Sequence, residues 1–351
     1  MSAVDRSRWA SPSIRGALQA FGILTIASLV MACVPSDVGR VDTDSAQPSV
    51  RLERFGTDVG ESSLVVGFSQ IENENPWRIA QTISMVEEAR ARGMTLVYAD
   101  AGGRTDKQLS DVRELLAQGI DYLVFDPREY IQSAPALTYA REAGVPVIVI
   151  DRAVQGSPGV DYVTRIATDF VAEGRNAAEW LLANHGVQPL SILEVTGTPG
   201  SSAAIDRQNG FRAVMNRHAQ HTIVAELGAD FVRADAQRVM ENFIQTDART
   251  FNAVFAHNDE MAIGVIQALK NAGKRPGVDV VVVGIDGARD AVKAIIAGEM
   301  GATVIVNPRY GPITFDVIEK LARGEPVPTF ILIPDGIIDS HNAADKIDQS
   351  F

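Results

Sequence analysis

The chain is 351 residues long, 46% hydrophobic and only 6% aromatic, with a formal net charge of -12. On a prior of roughly 150 residues per domain that suffices for two buried cores. The acidic balance disfavours nucleic acid or an anionic membrane surface as a partner, because binding phosphate takes clustered Lys and Arg, and the single cysteine excludes an intramolecular disulfide or a multi-cysteine zinc site.

Arg6, Arg8 and Arg15 precede an apolar run from Ala17 to Ala32 that is too short to span a bilayer comfortably. Val30-Met31-Ala32-Cys33 resembles the lipobox of bacterial lipoproteins, so residues 1–32 are expected to be a signal peptide and Cys33 a lipidated mature N-terminus. An ordinary secretory signal cut nearby, with Cys33 incidental, is the alternative. Residues 33–63 lack periodicity and are rich in Ser, Asp, Gly and Pro, which predicts a tether. About 30 flexible residues reach roughly 30 Å.

From Leu64 apolar runs and helix-period patterns alternate. Strands are expected at 64–69, 95–99, 122–125 and 147–150, with intervening helices that close on Gly93, Gly119 and Gly144. Each glycine stands a few residues before the next apolar run, so the connections are short and the strands should be parallel, with helices on both faces. A second series follows. After 162–166 come a helix (170–182), a strand (190–195), a helix (203–216), a strand (222–227), a helix (234–245), a strand (253–256), a helix that stops near Gly273, and the β-branched run 280–285. The helix at 289–297, the strand at 302–306, the helix at 312–323 and a strand near 330–333 are too few for a third domain. The fold class is therefore α/β, two doubly wound parallel-sheet lobes joined by a hinge: 64–166 with 307–335 first, 167–306 with 336–351 second.

Ligands bind at the carboxyl edge of such sheets. The polar residues at the predicted strand ends are Ser69-Gln70, Asp100, Asp126, Asp151-Arg152, Asn258-Asp259 and Asp286, and loops add Asn75, Arg207 and Asn307. Any one of them can simply cap the next helix, Asn258 or Asp259 being natural N-caps. Taken together, their planar groups present paired hydrogen-bonding atoms that match neighbouring hydroxyls on a sugar. Trp77 and Phe231 can stack on its C–H face, although Trp77 alone also reads as core. Catalytic signatures are missing: there is no GxSxG, HExxH, GxxxxGK[ST] or GxGxxG, and Gly197-Thr198-Pro199-Gly200 lacks the spacing of a phosphate loop. His257, the one histidine near this edge, reads as structural or capping rather than as a general base. No cofactor, metal or enzymatic activity is expected.

At these motifs the chain resembles the type I solute-binding proteins of bacterial ABC sugar transporters, particularly the ribose-binding and galactofuranose-binding groups. The resemblance is carried by GFSQIENENPWR (67–78), VPVIVIDR (145–152), TGTPGSSAAIDRQNGF (196–211), ADFVRADA (229–236), AHNDEMAIGVIQALKNAG and VVVGIDG, over nearly all of 64–334. It implies a sugar held between two lobes joined by three crossovers. It also implies ligand roles for Asn75, Trp77, Arg78, Asp151 and Arg152 on the first lobe and Arg207, Phe231, Asn258 and Asp286 on the second. Asp126 departs from both groups, which tend to carry Asn or an apolar residue there. Asn307 is the nearest planar side chain to a Gln of the ribose group.

The resemblance further implies ABC permease and ATPase subunits as partners, and a monomer held outside the membrane by its lipid is expected. A subunit presenting sugar to a membrane receptor or sensor kinase is the other reading. Trp77-Arg78, where ribose binders place two aromatics, and Ile205-Asp206 resemble the galactofuranose group, so a hexose is favoured over ribose. The Asp126 carboxylate points instead to another aldose or a polyol.

Overall fold

The computed structural model describes residues 52–55, 63–185 and 188–351, so the leader, Cys33 and most of the stretch read as a tether lie outside the described residues. The chain begins with β1 (Leu52–Phe55), β2 (Val65–Gln70), α1 (Pro76–Ala91), β3 (Thr95–Asp100), α2 (Thr105–Ala117), β4 (Tyr122–Phe125), α3 (Pro135–Glu142), β5 (Val147–Ile150) and β6 (Thr164–Ala167). A second series follows: α4 (Phe170–Asn184), β7 (Ser191–Thr196), α5 (Ser202–Met215), β8 (Thr222–Gly228), α6 (Arg233–Thr246), β9 (Ala253–Ala256), α7 (Asp259–Asn271), β10 (Val281–Asp286), α8 (Arg289–Ile296) and β11 (Ala302–Ile305). The chain then returns with α9 (Gly311–Ala322) and β12 (Phe330–Leu332) and ends in β13 (Gly336–Asp339) and α10 (Ala343–Lys346).

Two sheets result, ordered β1-β3-β2-β4-β5-β6-β12 and β13-β11-β10-β9-β7-β8. Edges aside, each places its second strand on one side of its first and the later strands on the other, the doubly wound arrangement. All four residues of β5 and of β9 are buried, as strands covered by helices on both faces require. The switch points lie between β2 and β4 in one lobe and between β7 and β9 in the other. Three segments cross between the lobes: β6 to α4, β11 to α9, and β12 to β13. At the second crossing α9 lies against α1, where Gly311 donates to the Ser84 hydroxyl at 3.0 Å.

Two edge strands depart from the all-parallel expectation. β1 pairs antiparallel with β3 (Leu52 opposite Ala99), so the stretch read as a tether contributes a strand, and the Phe55 ring lies 6.4 Å from that of Tyr98. β13 pairs antiparallel with β11 and, with α10, gives structure to what reads as a tail. Both strands are four residues long and set in polar sequence, too short to show a period.

Candidate functional site

The carboxyl edges of the two sheets face each other across a cleft that holds about 350 Å³ of open space, solvent included. Its lining is Asn75, Trp77, Arg78, Asp151, Arg152, Ala203, Arg207, Phe231, Asn258 and Asp286. The lobes meet at its mouth, where Tyr130 N–H donates to Gly200 O at 2.9 Å, Ala153 N–H to Ser202 Oγ at 2.7 Å and Arg128 to Asp230 at 3.1 Å.

On the first lobe, Asn75 caps α1: its Oδ1 accepts from Arg78 N–H at 2.9 Å, and Pro76 fills the first turn. That cap aims Trp77 and Arg78 at the cleft. Trp77 is both core and wall, since its Nε1–H donates to Val306 O at 2.8 Å and its ring meets Tyr310 edge-on at 5.8 Å. The Arg78 guanidinium lies 4.6 Å over the indole and is gripped by two carboxylates, Asp126 at 2.5 Å and Asp151 at 2.9 Å. Burial lowers its pKa, but these partners more than offset it and hold the pKa raised. Arg152 donates to Arg128 O at 2.9 Å, lies 5.0 Å over Phe231 of the opposite lobe, and leaves its Nε–H unpartnered. Burial and the neighbouring Arg78 push its pKa down to about 10.

On the second lobe the position of Arg207 follows from glycine. A Cβ on Gly174 would overlap the carbonyl oxygen of Arg207, and one on Gly210 that of Val171, so α4 and α5 touch backbone to backbone. Glu173 on α4 thereby accepts from Arg207 Nε at 2.7 Å, Arg207 Nη1 donates to His257 O at 2.8 Å, and Asp286 stands off at 3.8 Å. Gly197, in the segment compared with a phosphate loop, serves a different end: any side chain there would run into the Phe231 ring. Asn258, not Asp259, is the N-cap of α7, accepting from Met261 N–H at 3.0 Å. Asp259 turns inward, where its Oδ2 accepts from Gly287 N–H (2.9 Å), Ala288 N–H (2.8 Å) and Thr303 Oγ1 (2.9 Å) and so holds the turn that carries Asp286. Burial pushes the Asp286 carboxyl well up, against the pull of Arg207.

Three lining residues, Asp151, Phe231 and Asp286, have φ of 56°, 64° and 136°. Strain of this kind costs on the order of 1–3 kcal/mol per residue and persists where the surroundings over-determine it, as in a ligand clamp.

Asn75, Trp77, Arg78, Asp151, Arg152, Arg207, Phe231, Asn258 and Asp286 thus share one cleft; Gln70, Asp126 and Asn307, also expected to bind the ligand, do not. Asp126 is wholly buried behind Arg78, so its carboxylate reaches that guanidinium and not the cleft. Gln70 turns its amide to Gln81 (2.8 Å) and Thr82 on α1. Asn307 is exposed, its Oδ1 taken by Arg309 N–H at 3.0 Å, and it lines a second cavity with Pro308, Arg309 and residues from the C-terminal 346–351. His257 faces Glu194 at 3.1 Å inside the second lobe. Glu173 has no mark in the sequence beyond its place on the apolar face of α4 with Phe170, Ala177 and Leu181.

Residues 66–326 match the model of the periplasmic binding protein domain. The chain is 36% identical to the galactofuranose-binding protein YtfQ of Escherichia coli over 267 residues, 76% of this chain and 84% of that one. A crystal structure of a galactofuranose binding protein superposes with a TM-score of 0.79 at 34% identity, covering 82% of this chain and 98% of that one. The binding component of the arabinose ABC transporter from Shewanella sp. ANA-3, bound to L-arabinofuranose, gives 0.77 at 35% identity, with 81% and 95% covered. With three-quarters of its length inside the family model, the chain belongs to the periplasmic binding protein family.

Proposed function

We propose that this chain is the extracytoplasmic sugar-binding subunit of an ABC importer and that it encloses one neutral monosaccharide, a hexose in furanose form, between its lobes. One observation carries the reading: guanidinium, carboxylate and carboxamide groups converge with two aromatic walls on one cleft, all but Asp286 fixed by a hydrogen bond to the protein. Such a lining satisfies adjacent hydroxyls pairwise and covers the C–H face of a ring. The furanose preference rests on the galactofuranose and arabinofuranose relatives, together with Trp77-Arg78. The proposed lobes, 64–166 with 307–335 and 167–306 with 336–351, bend at the three crossings. The closed form lets both lobes contact the sugar, so differential affinity for that form drives closure. Cys33 carries the lipid, residues beyond it form the leash, and the protein delivers sugar to its permease and ATPase as a monomer.

Calorimetric titration of the purified protein against galactose, glucose, arabinose, ribose, fructose and xylitol tests the ligand. Galactose is expected to bind tighter than ribose. Ribose binding tenfold tighter than every hexose overturns the choice of sugar, and binding of none overturns the function. Small-angle scattering should show compaction at saturation. Mass spectrometry of membrane-extracted protein should place the mature N-terminus at a lipidated Cys33.

A further inference from the structure

The charge of the cleft differs from that of its lining. Three arginines (Arg78, Arg152 and Arg207) and two aspartates (Asp151 and Asp286) face the ligand, one positive charge in excess. A surface of that sign, with guanidinium forks, suits a carboxylate better than a hydroxyl. Behind it lie two more carboxylates that no ligand can touch: Asp126, at 2.5 Å from Arg78, and Glu173, at 2.7 Å from Arg207, both with no exposed area. Once ionised, they reverse the sign. Each is also steadied by a side-chain donor of its own lobe, Gln81 for Asp126 and Thr168 for Glu173, so both are held in place behind the arginines.

The arrangement repeats on unrelated elements. Asp126 follows β4 and reaches an arginine on α1, whereas Glu173 lies on α4 and reaches an arginine on α5. In each lobe one cleft arginine is held between a hidden carboxylate and a carboxylate that faces the ligand. Arg152 forms no ion pair among the described residues, so it is where an acidic ligand would seat its carboxylate. Asp126 and Asp151 both bear on that guanidinium.

We infer that Asp126 and Glu173 are specificity-determining residues that act through the arginines they hold, keeping the cleft selective for neutral sugars and closed to sugar acids. The inference rests on the monosaccharide reading and deepens it. Hydroxyls that donate to Asp151 and Asp286 and accept from the arginines gain on both sides. A uronate or aldonate at Arg152 meets Asp151, Asp126 and Glu72, and one at Arg207 meets Glu173, Asp286 and Asp151, whose repulsion in a dry site is weakly screened.

The test is calorimetry at pH 8 with two matched pairs, galactose with galacturonate and glucose with glucuronate, on the wild type, Asp126→Asn and Glu173→Gln. The wild type should bind the better neutral sugar at least 100-fold tighter than its acid. Each variant should narrow that ratio at least tenfold, with thermal unfolding reporting which variants fold. Loss of both ligands in equal proportion, the mark of a merely structural role, overturns the inference. So does a wild type that binds acid and neutral sugar alike, a measurement that needs no variant. If the wild type binds neither member of either pair, the comparison is made with the panel sugar that it does bind and the matching aldonate; binding of no sugar of the panel removes the monosaccharide reading, and the inference with it.

Discussion

The two lobes hold their cleft arginines differently. Arg78 has carboxylates at 2.5 and 2.9 Å, one hidden and one facing the ligand, so Asp151 is already occupied before sugar arrives. Arg207 has its hidden partner at 2.7 Å, but the one that faces the ligand, Asp286, waits at 3.8 Å. At Arg78 the first lobe therefore presents a finished pair and at Arg207 the second an incomplete one, so among the aspartates ligand hydroxyls gain most at Asp286. Removing Asp151 should damage the protein as well as its binding; removing Asp286 should damage binding alone.

The sharpest way to break that contrast is Asp286→Ala. It should weaken sugar binding by about 2 to 4 kcal/mol, roughly 30- to 900-fold, the usual range for deleting one partner of buried charge-assisted hydrogen bonds. Unfolding of the free protein should shift little. Wild-type affinity in a calorimeter would remove Asp286 from the site.

Asp151→Ala should lower stability by about 1 to 3 kcal/mol, because Arg78 is left buried with one charge partner. Denaturant titration without ligand reads this, and equal midpoints for the two alanine variants would erase the difference between the lobes. Gly174→Ala should cost about the same by overpacking, since its methyl must push α5 from α4 and carry Arg207 away from Glu173. Here loss of stability and loss of affinity should come together, unlike at Asp286.

The pH dependence has a defined sign. Burial pushes Asp126, facing Arg78, Asp151 and Arg152, up to about 7, and Asp259, facing Thr303 and the Gly287 and Ala288 amides with Glu260 nearby, also to about 7. Unfolded, both titrate near 3.9. The folded state thus holds more protons between those values, and the stability they contribute is present below about 4 and lost as the pH rises through 7. His257, held below its ordinary value by burial, opposes this on the acid side. The unliganded midpoint should fall by a few degrees from pH 5.5 to pH 8, and less in Asp126→Asn; a rising midpoint would contradict the burial of these acids. The smallest effect belongs to β1: Phe55→Ala should lower stability by about 1 kcal/mol and speed amide exchange along β3 at 96–99, leaving binding unchanged.

Most of the fold was legible because parallel strands buried on both faces make unbroken apolar runs, and glycines mark where the helices stop. β1 and β13 were not, since a short antiparallel edge strand is specified by the strand it joins. At the site the carboxyl-edge rule named the right neighbourhood but not the direction of each side chain. Asp126 and Asp151 both follow a fully apolar strand end and look alike in sequence. Only Asp151 takes a left-handed turn and reaches the cleft. Glu173 was hidden for another reason: an acidic residue near a helix N-terminus is favoured by the dipole anyway and calls for no further explanation.

The hydrogen bond from the Trp77 indole to Val306 gives the molecule an optical readout of its own. Of the chain's three tryptophans, Trp9 lies outside the described residues, and Trp180 donates to Asp339 within the second lobe at 3.0 Å. Of the two described, only Trp77 has one face on an arginine at the cleft and its N–H on the end of a strand that leads into a crossing. Intrinsic fluorescence, with no label attached, should change with sugar capture and hinge motion through that ring.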